Sequence, residues 1–439
     1  MMLTPAALVA ISIFAITYIC IATEKVDKTA AALLGAAIVV SIGVVPYEVA
    51  LHAVDLNVVL LLVGMMVAVN VMAGTGVFEW VAVTIARKAG GRGLPILLLT
   101  LVATAVLSAL LDNVTTVILI APVTILLCEI LDLPAAPFLI LEALASNIGG
   151  TATLVGDPPN VLIASATGLG FNAFIYHLGP VVLVLLAIGV AVVALLGRKT
   201  FFVPEHLRER VLRARPERAI LDAPKLRRSL VVFGLMLVGF FVSHALHLEP
   251  GLIAIAGGLL MAVVCKVDLH HALEKVEWAS VFFFVGLFML IGALEHHTVF
   301  EQLGHYLLTV TGSDFAITVM LVMWFAAIAS AIVDNIPLVI AMLPLLRTMI
   351  PVFGQQLGLM DDPEALRLQV EEPLYWALAL GACLGGNGSL VGASANVVIA
   401  QIGHRNKHPI GFISFAKYGV PTMLVTLVVA SVYVWLRYL

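Results

Sequence analysis

Residues 107–118, LSALLDNVTTVI, and residues 329–340, ASAIVDNIPLVI, each place an Asp-Asn pair in the middle of an apolar stretch. The two aspartates, Asp112 and Asp334, are 222 positions apart (334 − 112 = 222). A carboxylate inside the hydrocarbon region of a membrane is costly, and such residues usually belong to an ion or proton pathway. Two equivalent pairs therefore indicate a duplicated chain with a transport site at its centre.

The composition places the chain among membrane proteins. Of its 439 residues, 62% are hydrophobic and 11% are charged, with a mean hydropathy of +1.12; a soluble domain carries roughly 25% charged residues. The first apolar run, residues 3–22, lacks a basic segment before it and a cleavage site after it, so we expect a retained span. The four cysteines show no metal-like spacing and are expected to be buried apolar residues. We predict an all-α integral membrane protein.

The duplication extends beyond the Asp-Asn pairs. Val77-Phe78-Glu79 recurs as Val299-Phe300-Glu301 at the same offset of 222, and residues 154–156 recur as 390–392 at an offset of 236. An insertion around residues 361–364 takes up the difference. Each half has an odd number of crossings, five if its Asp-Asn segment is a re-entrant hairpin and seven if it crosses twice. An odd number inverts the second half relative to the first, as in alternating-access carriers.

The chain is therefore divided into two inverted repeats of five transmembrane helices, each with a re-entrant helical hairpin and a broken helix. The first repeat covers residues 1–197, with its hairpin at about 94–131 and its broken helix at about 137–167. A basic linker covers residues 198–228. The second repeat covers residues 229–439, with its hairpin at about 314–352 and its broken helix at about 374–403.

The basic residues assign the two sides of the membrane. The linker holds ten of the 23 Lys and Arg residues, which places it in the cytoplasm by the positive-inside rule. Counting five spans in each direction puts both termini outside, and Lys25 and Lys28 then fall inside. The predicted outer loops, residues 46–55, 168–176 and 295–313, contain no Lys or Arg. We expect a multi-pass protein of the cell (inner) membrane, and the topology explains the basic linker without a nucleic acid.

Glycines and prolines interrupt two further apolar segments. Residues 147–160, NIGGTATLVGDPPN, and residues 385–396, GGNGSLVGASAN, cannot stay helical throughout. Non-helical backbone at membrane depth is tolerated only where it is buried in protein or lines a watery cavity, where it can bind ions. The substrate site is expected where these breaks meet the hairpin tips. Its candidate ligands are Asp112, Asn113, Thr115, Thr151, Thr153, Asn160, Asp334, Asn335, Asn387, Ser389, Ser394 and Asn396.

Three carboxylates, Asp112, Asp157 and Asp334, are candidates for carrying a proton. Asp112 and Asp334 also have a structural interpretation as N-caps of the hairpin half-helices, although Asn or Ser could cap there at lower cost. Asp157 has Ala393 as its repeat counterpart, so it is either a single-site carrier or a turn residue. We predict no cofactor and no metal site, and we expect the histidines at 296, 297 and 305 to be solvated.

Taken together, the quoted motifs resemble the ion transporter superfamily. Residues 111–116, 147–160, 333–337 and 381–396 are similar to its ArsB/NhaD branch, and most closely to permeases of the P protein type. The resemblance implies ten spans plus two re-entrant hairpins, in a homodimer with scaffold and transport subdomains. Members include arsenite efflux pumps, Na⁺/H⁺ antiporters, silicic-acid exporters and, more distantly, dicarboxylate carriers. The last have Ser-Asn-Thr at the hairpin tips, and the carboxylates that replace it here disfavour a dicarboxylate.

We therefore predict a proton-coupled secondary transporter, not an enzyme, that works by an elevator-type alternating-access mechanism. Arsenite is the first candidate substrate, since it is a neutral trihydroxide that can form hydrogen bonds with hydroxyl, amide and carboxylate groups. An arsenite pump could associate with a soluble ATPase. The alternatives are a Na⁺/H⁺ antiporter of NhaD type and an anion transporter or channel of P protein type. An intramembrane hydrolase is disfavoured because GxSxG, HExxH and Walker-type sequences are absent.

Overall fold

The computed structural model describes residues 4–23, 26–197, 201–310 and 314–439. Some residues used in the predictions above lie outside this description, namely Leu3, Lys25, Arg198, Ser313 and the side chain of His305. Within the described ranges the regular secondary structure is helical, without strands. Eight of the described helices have at least 18 residues and are apolar enough to cross a membrane. The prediction of an all-α integral membrane protein is confirmed.

The described part of the first half contains ten helices, of which α3 lies in the segment predicted as an outer loop. They are α1 (Pro5–Thr23), α2 (Lys28–Ser41), α3 (Tyr47–His52), α4 (Leu56–Ala73), α5 (Val77–Lys88), α6 (Gly93–Leu110), α7 (Asn113–Leu131), α8 (Ala135–Gly150), α9 (Pro158–Thr167) and α10 (Phe171–Leu196). Helices α6 and α7 form the hairpin, which turns at Leu111 and Asp112. Helices α8 and α9 are the two parts of the broken helix, so both interruptions fall where the sequence places them.

The second half repeats this order after the linker helix α11 (Glu205–Leu212) and a 3₁₀ turn at Pro216–Ala219. Its helices are α12 (Ala223–Val242), α13 (Pro250–Val264), α14 (Leu269–Glu274), α15 (Trp278–His296), α16 (Val299–Val310), α17 (Phe315–Ile332), α18 (Asn335–Gln356), α19 (Pro363–Leu366), α20 (Glu372–Gly385), α21 (Ser394–Arg405) and α22 (Phe412–Tyr438). Only α19 lacks a counterpart among these described helices, and it lies in the insertion noted above. Helices α1 to α10 therefore correspond to α12–α18 and α20–α22.

Polar and proline residues determine where the interrupted helices begin. Asp112 precedes α7, and its Oδ1 accepts a hydrogen bond of 2.7 Å from the backbone N–H of Thr115. Asp334 precedes α18 in the same way and accepts from the N–H of Ile336 at 3.3 Å. Helix α9 begins with Pro158, whose fixed φ suits the first turn of a helix. Each break is thus encoded by the residues next to it.

Glycines bring helices of the two halves together in equivalent pairs. A Cβ at Gly64 of α4 would overlap the backbone of Ala254 in α13, and one at Gly286 of α15 would overlap the backbone of Ala32 in α2. The second contact repeats the first with the halves exchanged, since 64 + 222 = 286 and 32 + 222 = 254. We call α2, α4, α13 and α15 the scaffold group. Their close approach is typical of helix packing in membranes.

The hairpins and broken helices form a second set, which we call the core group (α6–α9, α17, α18, α20 and α21). A Cβ at Gly149 of α8 would overlap the backbone of Ala105 in α6, and one at Gly385 of α20 would overlap that of Ala327 in α17. Asn113, at the start of α7, is bonded to Asn147 near the end of α8. The hairpin tip therefore lies part-way along the path of α8 and α9, which favours the re-entrant alternative. The repeat boundaries and the inverted orientation stay predictions.

Candidate functional site

Both hairpin tips and the first break converge on one carboxylate. The Nδ2 of Asn113 donates to Asp157 Oδ1 at 3.0 Å, and the Nδ2 of Asn335 donates to the same oxygen at 3.4 Å. Asn113 and Asn335 are 2% exposed, and Asp157 is 0% exposed. Because the two asparagines are counterparts in the predicted repeat, Asp157 is the carboxylate that both halves contact in the same way.

A chain of amides continues this cluster to the second break. The Oδ1 of Asn147 accepts from Asn113 at 3.2 Å, and its Nδ2 donates to Asn387 Oδ1 at 2.9 Å and to Asn396 Oδ1 at 3.0 Å. Asn147, Asn387 and Asn396 are fully buried. The cluster therefore joins both hairpin tips to both breaks. We call its members Asn113, Asn147, Asp157, Asn335 and Asn387 the tip site.

Several buried atoms at the tip site have unused hydrogen-bonding capacity. In the described part of the chain, Asp157 Oδ2 and Asn113 Oδ1 are acceptors without a donor, and Asn387 Nδ2 is a donor without an acceptor. The hydroxyl of Ser389, next to the second break, is also unpartnered among the described residues. Buried polar atoms are nearly always paired in proteins. These unpartnered atoms make the tip site the candidate for binding a small ligand that both donates and accepts hydrogen bonds.

The hairpin aspartates lie beside the tip site and differ from each other. Their Oδ1 atoms cap α7 and α18, which is the structural interpretation given above. The Oδ2 of Asp334 additionally accepts from Ser394 Oγ at 2.8 Å and lies 3.4 Å from the ammonium nitrogen of Lys28. Asp112 forms no salt bridge with any residue in the described ranges. Thr115 is half-buried in the first turn after Asp112.

The remaining candidates of the first break hold its non-helical backbone in place. The Nδ2 of Asn160 donates to the carbonyl oxygens of Thr151 and Thr153 at 3.0 and 2.9 Å. The hydroxyl of Thr151 donates to the carbonyl of Asn147 at 2.8 Å, and that of Thr153 donates to Ala109 in the hairpin at 2.6 Å. These side chains shape the site, since their donors are already engaged with backbone carbonyls and the Oδ1 of Asn160 accepts from the thiol of Cys383 at 3.7 Å.

The second break is held in the equivalent way. The Nδ2 of Asn396 donates to the carbonyl oxygens of Gly386 and Ser389 at 2.8 and 2.9 Å. A serine on the first limb of each hairpin completes the arrangement: Ser108 donates to the carbonyl of Ser146, and Ser330 donates to that of Ala382, both at 2.7 Å. The two breaks therefore share the serine hydrogen bonds and one of the two asparagine hydrogen bonds. They differ in two details: Asn396 donates to Gly386, whereas the counterpart of Thr151 is Asn387 (151 + 236), and the Ser389 hydroxyl has no partner among the described residues.

Three buried or ion-paired polar residues in or near the site were not among the candidates predicted from the sequence. Asn147 links the first hairpin tip to the second break, although the sequence marks it only as the first residue of its own break. Lys28 contacts Asp334, but its position at the start of α2 suggested only a cytoplasmic loop. Glu142 of α8 is fully buried and accepts a hydrogen bond of 2.5 Å from Thr124 of α7. A lone glutamate in an apolar run was the available signal for it.

The chain is similar in sequence to known membrane proteins along almost its whole length. A family model described as "Citrate transporter" (CitMHS) matches residues 18–380. The chain belongs to the CitMHS family. A 46 kDa membrane protein of Mycobacterium leprae is 42% identical over 99% of both chains, and an uncharacterized transporter of Mycobacterium tuberculosis is 40% identical over 98% of this chain and 99% of its own. The P protein of Mus musculus is 33% identical over 98% of this chain and 60% of its own length.

Membership of the CitMHS family confirms the resemblance to the ion transporter superfamily. The family description and the name of the Mycobacterium tuberculosis relative identify transporters. The protein is therefore a multi-pass membrane transporter. Its candidate site is the tip site, where the structure brings together residues from both hairpin tips and both breaks.

Proposed function

We propose that this transporter exports a small neutral metalloid hydroxide, with arsenite as the first candidate, in exchange for protons. The observation that carries the proposal is the tip site, which has a buried carboxylate and free acceptors and donors around it. Arsenite at neutral pH presents three O–H donors whose oxygens also accept. Asp157 Oδ2 and Asn113 Oδ1 would accept from its hydroxyls, and Asn387 Nδ2 would donate to one of its oxygens.

Protons and substrate would compete for the same carboxylate. An uncompensated carboxylate is costly in a membrane interior, so Asp157 needs either a bound proton or donors from the substrate before the site moves. Asp112 and Asp334 are the further proton-coupling candidates. Exchange of substrate against proton at Asp157 would couple the two fluxes in opposite directions.

Alternating access would move the core group against the scaffold group in an elevator-type motion. Two features of the packing support this division. The scaffold helices meet each other at Gly64 and Gly286, and the core helices meet each other at Gly149 and Gly385. Each group thus has its own close internal contacts. A homodimer in the lipid bilayer, with the scaffold groups at its centre, is the assembly that the resemblance implies.

The charge of the site argues against citrate as the substrate, although the family description names it. Asp112, Asp157 and Asp334 place three carboxyl groups at or beside the tip site. Like charges brought together cost several kcal/mol, so a polycarboxylate is poorly suited here. A Na⁺/H⁺ antiporter is the second candidate, because the oxygens of Asp157 and Asn113 are ligands that hard cations prefer.

Transport by purified protein in proteoliposomes tests these candidates. With the linker face outward and an acidic interior, we expect saturable uptake of arsenite that stops when a protonophore collapses the pH gradient. Silicic acid, Na⁺, Li⁺ and citrate are assayed in parallel. Uptake of Na⁺ or Li⁺ without arsenite would select the antiporter. Single-channel currents in a planar bilayer that persist after the core group is cross-linked to the scaffold group would select the channel.

A further inference from the structure

Lys28 connects the scaffold group to the second hairpin tip. It is the first residue of α2, and its Nζ lies 3.4 Å from Asp334 Oδ2 and donates to Ser394 Oγ at 3.0 Å. In the core group, Asp334 caps the start of α18 and Ser394 is the first residue of α21. The Asp334 side chain is 10% exposed and that of Lys28 is 36% exposed. The positively charged ammonium group of Lys28 is therefore partly buried between a carboxylate and a hydroxyl.

Other polar and aromatic groups also face this ion pair. The Lys28 ammonium lies 5.1 Å from the ring centroid of Phe283 in α15. Glu277, just before α15, lies within electrostatic reach of both Lys28 and Asp112. Tyr18 of α1 and Asp157 lie within reach of Asp334. Lys28 is thus set among carboxylates from the scaffold group and the core group.

The ion pair has no equivalent in the other repeat. The repeat counterpart of Lys28 is Pro250 (28 + 222), which cannot replace a cation, and that of Glu277 is Asp55 (277 − 222). The tip carboxylates can therefore meet Lys28 at one end of the scaffold group only. The tip carboxylates would therefore have a basic partner, Lys28, when the core group lies at this end of the scaffold group, and would lack it when the core group lies at the other end.

That end of the scaffold group is the one on which the linker packs. Helices α2 and α15 begin side by side, with the hydroxyl of Thr29 donating to the carbonyl of Ala279 at 3.0 Å. At the same end, Asn70 donates to the carbonyl of Lys275 at 3.0 Å, and the N–H of Leu221 in the linker donates to Thr75 at 2.9 Å. The structure thus places both hairpin tips near the linker face of the scaffold group.

We propose that Lys28 is an internal counter-ion that replaces a proton on Asp334 whenever the core group lies at the linker face. This inference rests on the proposed proton-coupled transport. Separating this partly buried ion pair would leave the Asp334 carboxylate, which is 10% exposed, without a counter-ion, and that is unfavourable. Asp334 can therefore leave Lys28 only after it gains a proton or hydrogen bonds from substrate.

The return of the core group completes the exchange. Protonated Asp334 approaches Lys28, its O–H bond breaks, and the proton passes to water on the linker side. The carboxylate then pairs with the ammonium group, which keeps its own three protons. Lys28 is in this sense a positioning residue, because it acts on the proton-carrying group. Because of Lys28, Asp334 releases its proton only when the core group reaches the linker face. The core group therefore does not return without carrying a proton.

Two kinds of flux separate this role from a merely structural one. In Lys28→Met we expect proton-driven uphill arsenite uptake to fall about tenfold, within the usual range of coupling between sites. Exchange of labelled for unlabelled arsenite should stay near the wild-type rate, since it needs no net proton turnover. Lys28→Arg should recover most of the uphill uptake. Lys275→Met removes a charge at the same face away from the tips and serves as the matched control.

A labelling experiment tests the ion pair without any substrate and without Lys28 variants. An acylating reagent is applied to purified wild-type and Asp334→Asn protein, and modification of Lys28 is measured by mass spectrometry against Lys275. We expect faster modification of Lys28 in the variant, because asparagine still caps α18 but leaves the ammonium group unpaired. Equal modification of Lys28 in both proteins, or full uphill uptake by Lys28→Met, would overturn the inference. Failure of wild-type protein to move any tested substrate would instead refute the proposed function.

Discussion

At the residue scale, the position of Asp157 explains why one carboxylate suffices for a site built from two repeats. Equivalent asparagines from both hairpin tips reach the same oxygen, so Asp157 would lie near the axis of the predicted repeat. A second carboxylate from the counterpart position would lie beside it, and two adjacent carboxylates cannot both ionise readily. That counterpart is Ala393, which is 1% exposed. An aspartate at 157 and an alanine at 393 are therefore what we expect if the two repeats share one carboxylate in the proposed site.

The position of Asp157 in the proposed site predicts that replacing it by asparagine affects transport, whereas the same replacement at an exposed helix cap does not. Asp157→Asn should abolish proton-driven transport, because an amide cannot carry a proton and turns a free acceptor into a competing donor. Asp314→Asn is the matched control, since Asp314 caps the exposed start of α17 with a hydrogen bond of 2.9 Å to Ile317 and asparagine caps equally well. Uptake into proteoliposomes and elution from a sizing column are measured for both variants. Wild-type uptake by Asp157→Asn would remove this residue from the coupling mechanism.

At the element scale, the close contacts between the hairpins and the broken helices depend on glycine. Gly149 and Gly385 lie where the backbones of α8 and α20 meet those of α6 and α17. The neighbours are backbone atoms of Ala105 and Ala327, which cannot turn aside as a flexible side chain can. These contacts place the ends of α8 and α20 beside the hairpin tips, so the packing of the elements determines the geometry of the site.

The glycine contacts give a prediction with an internal control. Gly149→Ala should lower the thermal midpoint of the purified protein and reduce transport, because the added methyl group would force α6 and α8 apart. Gly189→Ala in α10 should be neutral or stabilising by up to about 1 kcal/mol, the propensity difference within a helix, as no described atom lies within 4 Å of the added Cβ. Thermal unfolding followed by intrinsic fluorescence measures both. Equal midpoints for the two variants would contradict the proposed importance of the contact.

At the scale of the whole molecule, the linker joins the two halves along one face. Helix α11, the 3₁₀ turn and the N–H of Leu221 pack on the ends of α4, α5 and α7, and a Cβ at Gly76 would overlap the carbonyl of Ala219. The ends of α10 and α12 lie at this face as well. A cytoplasmic linker would then put the starts of α2 and α15, with Lys28 and Glu277, on the cytoplasmic side. This orientation follows from the count of basic residues and stays a prediction.

Cysteine accessibility tests the orientation. In a variant with its four cysteines replaced by alanine, we introduce Glu217→Cys in the exposed linker and Asp361→Cys in the exposed insertion. A membrane-impermeant maleimide added to intact cells should modify the cysteine at 361 and should modify the one at 217 only after permeabilisation. The reverse pattern would invert the topology and move the Lys28 contact to the outer side.

The sequence alone predicted the membrane helices and their interruptions, because each depends on residues close in the chain, and it indicates a duplication that stays a prediction. Apolar length sets the helices, glycine and proline set the breaks, and the recurrence of motifs at constant offsets indicates the repeat. The convergence of Asn113 and Asn335 on Asp157, the linking role of Asn147 and the pairing of Lys28 with Asp334 came only from the tertiary structure. The constant offset between the repeats matches each residue with its counterpart, but it does not tell which segments lie close together in space. Lys28 and Asp334 are 306 positions apart in the chain, and only the packing of the core group against the scaffold group brings them together.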